Sequence, residues 1–343
     1  MTQPGDDALR ADLVCEGGGV KGVALAGAVT SLAEAGYTFP RVAGSSAGAI
    51  VGALVAALQT AGEPVTRLNE LLGALDLSRF RDPSRLGRVP LVGRALSLLI
   101  TDGIYQGAYL ERFLEEVLGD LGVRTFGDLR TGEDTQQYAY SLVITASDLS
   151  RRRLVRLPWD LPSYGVDPDT FSVARAVRAS AAIPLFFRPV RVRGATWVDG
   201  GLLSNFPVEL FDQPAAVAPR WPTFGVRLTA RPGTPPVTHP VRGPVNLALA
   251  SLETLFSARD ASYVNDPCSV RRTIFVETEQ VSALDFSLTP RQAQGLYDAG
   301  HSAALQFLQT WDFAAYVRRC RTPPPDPTLD GGGLAPNSDP TVP

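Results

Sequence analysis

Residues 12–62 read DLVCEGGGVKGVALAGAVTSLAEAGYTFPRVAGSSAGAIVGALVAALQTAG, and the order of elements within them decides the fold. Residues 12–15 are a short, mainly apolar run that ends in a glycine cluster, which predicts a buried strand entering a tight turn. Residues 23–35 are rich in Ala, Leu and Val and predict a helix, stopped by Gly36 in the position favoured at a helix C-terminus. Residues 37–43 predict a second strand and residues 44–48 a second small-residue turn. A second apolar helix follows over 47–61, ended by Gly62 and Pro64. Two strand–turn–helix units in succession predict an α/β fold: a central, mostly parallel sheet flanked by helices in three layers.

The pattern continues along the chain. Helices are expected over 68–75, 108–121, 171–181, 245–263 and 290–309. Strands are expected over 138–146 and 153–157 as a hairpin, over 189–193 and 195–198 around Gly194, and over 224–229 and 272–277. Residues 78–88 are charged and loop-like. Residues 89–100 are apolar with one arginine, suited either to the core or to the entrance of a site for an apolar substrate. Residues 231–244 are Pro-rich and read as a surface loop. One domain is expected over residues 10–320, between a disordered N-terminus (1–9) and a disordered Pro/Gly-rich tail (321–343).

Composition narrows the function classes. Of 343 residues, 45% are hydrophobic, enough for a sizeable core, and the net charge is -3. No basic stripe suggests nucleic acid as a partner. The polar, acidic start lacks the features of a signal peptide. The longest apolar stretches, 46–58 and 89–100, fall short of the roughly 18 residues of a spanning helix. The expectation is a cytoplasmic protein with at most peripheral contact with membranes. The three cysteines, Cys15, Cys268 and Cys320, are scattered and read as free thiols in a reducing compartment.

Three turns carry chemistry. The first is Gly17-Gly18-Gly19-Val20-Lys21-Gly22, between a strand and a helix. Glycine lets backbone N–H groups approach a ligand, and a helix N-terminus favours negative charge. Such a loop suits a phosphate or the oxyanion of acyl transfer. The string also fits the dinucleotide pattern G-x-G-x-x-G, which would make the protein an oxidoreductase. That reading needs an acidic residue after the second strand, where the chain has Arg41-Val42-Ala43-Gly44. The second turn, Gly44-Ser45-Ser46-Ala47-Gly48, fits G-x-S-x-G with the strand and helix that motif requires. A small-residue packing turn is its plain alternative. The third, Asp199-Gly200-Gly201 after a short strand, read alone is an Asp-Gly turn. A nucleophilic serine needs a base. His301 falls in a helical pattern and His239 in the Pro-rich loop, so a Ser–Asp pair has better candidates than a Ser/His/Asp triad.

In this order, the three turns resemble the patatin-like phospholipases. Asp102-Gly103-Ile104-Tyr105, Ala179-Ser180-Ala181-Ala182-Ile183-Pro184 and Asn205-Phe206-Pro207 are similar to further stretches of that family. The likeness covers roughly residues 10–310. It implies a lipid acyl hydrolase acting on phospholipids or other acyl esters, with Ser46 as nucleophile and Asp199 as base. Gly17, Gly18 and Gly19 would supply the oxyanion hole, and Gly22, Gly44, Gly48, Gly200 and Gly201 would shape the turns. Lys21, the one lysine of the chain, matches the family's basic position, where it would steady the loop or meet a lipid phosphate; a solvated lysine near a helix start is the alternative. No cofactor or metal is implied. A catalytically silent protein of the same fold, kept for binding, is the remaining reading.

Overall fold

The structure is a computed structural model. It describes residues 9–76, 103–105, 107–214, 219–234, 266–278, 280–283 and 288–321, with residues 79, 217, 241, 247, 250–252 and 254–256 described singly or in short runs. The expected apolar stretch at 89–100, most of the helix at 245–263, the N-terminus before residue 9 and the tail after 321 lie outside the described residues.

The strands are β1 (Leu9–Arg10), β2 (Asp12–Cys15), β3 (Tyr37–Thr38), β4 (Val42–Gly44), β5 (Gly103–Tyr105), β6 (Leu142–Asp148), β7 (Arg153–Leu157), β8 (Leu185–Phe187), β9 (Val190–Val192), β10 (Ala195–Asp199), β11 (Thr223–Arg227) and β12 (Thr273–Phe275). The helices are α1 (Gly22–Glu34), α2 (Ala47–Thr60), α3 (Leu68–Gly73), α4 (Ala108–Asp120), α5 (Val173–Ser180), α6 (Pro267–Arg271), α7 (Pro290–Thr310) and α8 (Phe313–Cys320).

The central sheet has eight strands. Its main path is β12-β11-β2-β4-β6-β10-β9, and β7 pairs with β6 beside that path. From β12 to β6 every neighbour is parallel; β7, β10 and β9 are antiparallel. The fold is thus α/β, with a mostly parallel central sheet flanked by helices. Strands β2, β4, β6 and β11 are buried along their whole length, as parallel strands covered on both faces must be. Side chains alternate between the faces. Leu13, Cys15, Val42, Leu142 and Ile144 join the large core built with α1, α2, α4, α5 and α7. Val14, Ala43 and Val143 join a smaller cluster closed by Phe206, Val208 and Phe211.

Two expectations are corrected. Residues 37–43 do not form one strand. Pro40, which has no N–H to give a ladder, interrupts them. Tyr37–Thr38 pairs with β1 outside the main sheet, and Val42–Gly44 runs inside it. The cysteines are not three free thiols either. Cys268 at the start of α6 and Cys320 at the end of α8 form a disulfide, with Cα atoms 5.6 Å apart, and Cys15 alone is free and buried. The thiol count therefore gives no argument for a reducing compartment. Among the described residues, no helix is long and apolar enough to cross a membrane.

Helix α7 lies against α1 at backbone distance. A Cβ on Gly27 would meet the carbonyl of Tyr297, and one on Gly300 the carbonyl of Ala24. The two glycines are what permit this contact.

Candidate active site

The second turn places Ser46 between β4 and α2. Its backbone is at φ 52°, ψ -117°, a conformation that a side-chain-bearing residue keeps only when its surroundings impose it. The flanking glycines show the surroundings. A Cβ on Gly44 would run into the carbonyl of Gly48, and a Cβ on Gly48 into the carbonyl of Cys15. Strand β2 and the head of α2 thus touch through backbone. Gly48→Ala is expected to destabilise the fold by about 3 kcal/mol, read as a lower midpoint in urea unfolding. An unchanged midpoint would mean that this contact can relax.

Sheet register sets the partner. Gly44 pairs with Ile144, and Asp199 with Ala146 two residues further along β6. Ser46 and Asp199 therefore leave the two strands that flank β6, whose backbones stand about 10 Å apart. Their side chains close that gap: Ser46 Oγ donates to Asp199 Oδ2 at 2.8 Å. The Gly201 N–H donates to the other oxygen, Oδ1, at 2.8 Å. Asp199 is 0% exposed and Ser46 6%. Burial pushes the Asp199 carboxyl up from 3.8 to about 7, against the lowering effect of the hydrogen bonds from Ser46 and Gly201. A carboxylate with a pKa near 7 is a far better proton acceptor than one near 4.

Gly200 and Gly201 are needed here as glycines. A Cβ on Gly200 would strike the carbonyl of Thr145, and one on Gly201 would crowd Asn205 Oδ1 and Asp199 Oδ1.

The first turn arches beside this pair. A Cβ on Gly17 would lie 3.1 Å from Ser46 Cβ. The three glycine amides are not equivalent. Gly17 N–H donates to the carbonyl of Asn205 at 2.9 Å, and Asn205 Nδ2 donates back to the Gly17 carbonyl at 3.0 Å. The Gly17 amide is thus engaged in this clamp. Among the described residues the amides of Gly18 and Gly19 have no acceptor. Gly19 is at φ 56° and packs on the carbonyl of Ala283, which accepts the Val20 N–H at 3.0 Å. Lys21 ends the short 3₁₀ turn Gly19–Lys21, and Gly22 opens α1 against Ala47. Glu16, buried just before the loop, takes hydrogen bonds from Arg227 Nε at 3.2 Å and Leu228 N at 2.6 Å.

A cavity opens over Ser46. It holds about 630 Å³ of space, its mouth included, and is walled by Val23, Ile50, Val51, Leu75, Ile183 and Phe187, with Gly19 and Ser46 at its floor. That apolar wall suits a hydrocarbon chain. His301 is elsewhere, on α7 at 3.3 Å from Glu34, and His239 lies outside the described residues. The place where a dinucleotide site would need a ribose-binding acid, after β4, is occupied by the Ser46 turn. Asn205 and Ser180 contribute to the site through contacts that span 188 and 134 residues, which no local spacing could announce.

The family model for patatin-like phospholipase matches residues 13–212. The uncharacterised protein YqhO of Bacillus subtilis is 38% identical over 307 residues, covering 88% of this chain and 99% of that protein. An uncharacterised NTE family protein of Mycobacterium bovis is 29% identical over 203 residues, 58% of this chain and 27% of its own length. Among solved structures, VipD from Legionella pneumophila shares the fold at 19% identity, with a TM-score of 0.51 over 88% of this chain and 67% of that one. With the family model spanning more than half of its length and a relative aligned nearly end to end, the chain belongs to the patatin-like phospholipase family.

Proposed function

We propose that the protein is a lipid acyl hydrolase that cleaves fatty-acyl esters of phospholipids or related lipids through a Ser46–Asp199 dyad. The observation that carries this reading is the 2.8 Å hydrogen bond from Ser46 Oγ to a fully buried carboxylate, beneath an apolar cavity. Family membership supports the lipid class of substrate.

The chemistry runs in two halves. Asp199 Oδ2 takes the Ser46 hydroxyl proton as Oγ attacks the ester carbonyl. The oxyanion that forms is held by the amides of Gly18 and Gly19. Its collapse expels the alcohol, which leaves with the proton from Asp199, and Ser46 carries the acyl group. Water then gives a proton to Asp199 and attacks the acyl-enzyme. Ser46 leaves, regains its proton, and the fatty acid is released. The acyl chain lies along Ile50, Val51 and Leu75 throughout.

Two measurements on the purified protein test this. A fluorophosphonate probe is expected to label the wild type and not Ser46→Ala. With a p-nitrophenyl acyl ester, kcat/KM is expected to rise about tenfold per pH unit up to about pH 7 and level off above it. The sign follows from Asp199, whose carboxyl titrates near 7 and accepts a proton only when ionised. Absent labelling would leave a silent binding protein. A rate independent of pH between 5 and 8 would remove Asp199 as the base.

A further inference from the structure

We infer that residues 180–182 act as a bracket that holds both members of the dyad in register, and that Ser180 is the positioning residue for the nucleophile. The inference rests on the functional reading above and goes beyond it.

The strained turn leaves the Ser46 N–H outside the pairing of β4 and outside the helical bonds of α2. Among the described residues it has one acceptor, Ser180 Oγ, at 2.9 Å. Two residues later, the carbonyl of Ala182 accepts the N–H of Asp199 at 2.9 Å. One short segment therefore grips the nucleophile's backbone with a side chain and the base's backbone with a carbonyl. Between the two grips, Ala181 lines the cavity.

The bracket is itself fixed. Ser180 is the last residue of α5, and all of that helix but Arg175 is buried. Its start is capped by Ser172, whose hydroxyl accepts the Arg175 N–H. Arg178, also buried, donates from Nη2 to the carbonyl of Arg188 at 2.7 Å, which secures the chain beyond the bracket. Ser180 is 0% exposed, so bulk water does not reach its hydroxyl.

A serine Oγ rides on its own backbone. Loss of the acceptor leaves a buried, unpaired N–H at a strained residue. The turn then relaxes, and Oγ moves relative to Asp199 and to the Gly18 and Gly19 amides. Misplacement of a reacting atom by about 1 Å lowers a rate on the order of 100-fold. The apolar walls formed by Val23, Val51, Leu75 and Phe187 lie outside the turn, so kcat rather than KM is the quantity expected to move.

The test compares wild type, Ser180→Ala, Ser180→Thr and Ser46→Ala as full chains on a p-nitrophenyl acyl ester, at a temperature where circular dichroism shows each folded. For Ser180→Ala, kcat is expected to fall about 10- to 100-fold with KM within about twofold. Its rate of fluorophosphonate labelling is expected to fall in parallel. Threonine, which keeps the Oγ, is expected to recover most of the rate. A folded Ser180→Ala with wild-type kcat and labelling overturns the inference, as does a change confined to KM. If Ser46→Ala keeps the activity, the functional reading itself fails. If Ser46→Ala is inactive while Ser180→Ala is normal, only the bracket fails.

Discussion

Asp199→Asn is expected to abolish ester hydrolysis, lowering kcat at least 1,000-fold, and at the same time to make the folded protein harder to unfold at pH 8. Both effects have one cause. The amide keeps the geometry: its oxygen can accept the Gly201 N–H and its NH₂ can donate to Ser46 Oγ, replacing the two recorded contacts. It cannot accept the serine proton, so nucleophile activation is lost. For stability, the folded carboxyl titrates near 7 against 3.8 for the free group. The protonated form is thus the one the fold prefers. Below about pH 4 the group is neutral in both states and burial carries no charge penalty. As pH rises from about 4 to 7, the unfolded chain ionises first and the fold is progressively destabilised. Above 7 the penalty is complete, on the order of 4 kcal/mol. Asparagine removes it. Urea unfolding of the two proteins should therefore differ at pH 8 in favour of Asp199→Asn and converge toward pH 4. A variant less stable than wild type at pH 8 would contradict the buried, raised carboxyl.

The second large effect is expected at the other end of the chain. Reduction of the Cys268–Cys320 disulfide, or Cys320→Ser, should cost about 4 kcal/mol, the loop-closure figure for a separation of 52 residues. The bond ties α8 to α6, next to the edge strand β12. Ion pairs reinforce the same place: Arg272 Nη2 and Arg321 Nη2 each reach Asp212 at 2.6 Å. The two arginines share one carboxylate. A thiol assay on the denatured, unreduced protein is expected to find one reactive group, Cys15. Three would show the bond to be absent, and urea midpoints with and without reductant would then coincide.

What could be read from the sequence and what could not divide along a physical line. The Ser46 turn was legible because its demands are local. A sharp strand-to-helix turn needs small residues at fixed offsets, and Gly44 and Gly48 stand there with backbone against them. Asp199 was not legible alone, where Asp199-Gly200-Gly201 reads as an Asp-Gly turn; it stood out only beside the other two turns and the family resemblance they carry. The parallel core was legible from the order strand, turn, helix, strand, turn, helix over the first 65 residues. The unread parts all depend on contacts between distant residues. Nothing near Gly17 indicates that its amide is claimed by Asn205. Nothing near Ser180 says that its hydroxyl meets Ser46. The disulfide joins two helices of five and eight residues, too short to leave a periodic trace.

The close seating of α7 on α1 bears on how little of this chain could stand alone. The family match ends at residue 212, before β11, β12 and α7. A polypeptide cut there would keep Ser46 and Asp199. It would also turn β2 into a bare outer strand, inviting pairing with other molecules. The face of α1 around Gly27, fitted to the backbone of α7, would be open to water. Glu16 would lose Arg227 and Leu228, and Val20 would lose Ala283, so the glycine arch would be left without its outer scaffolding. The smallest autonomous unit is therefore longer than the stretch that defines the family, and it must run at least through α7.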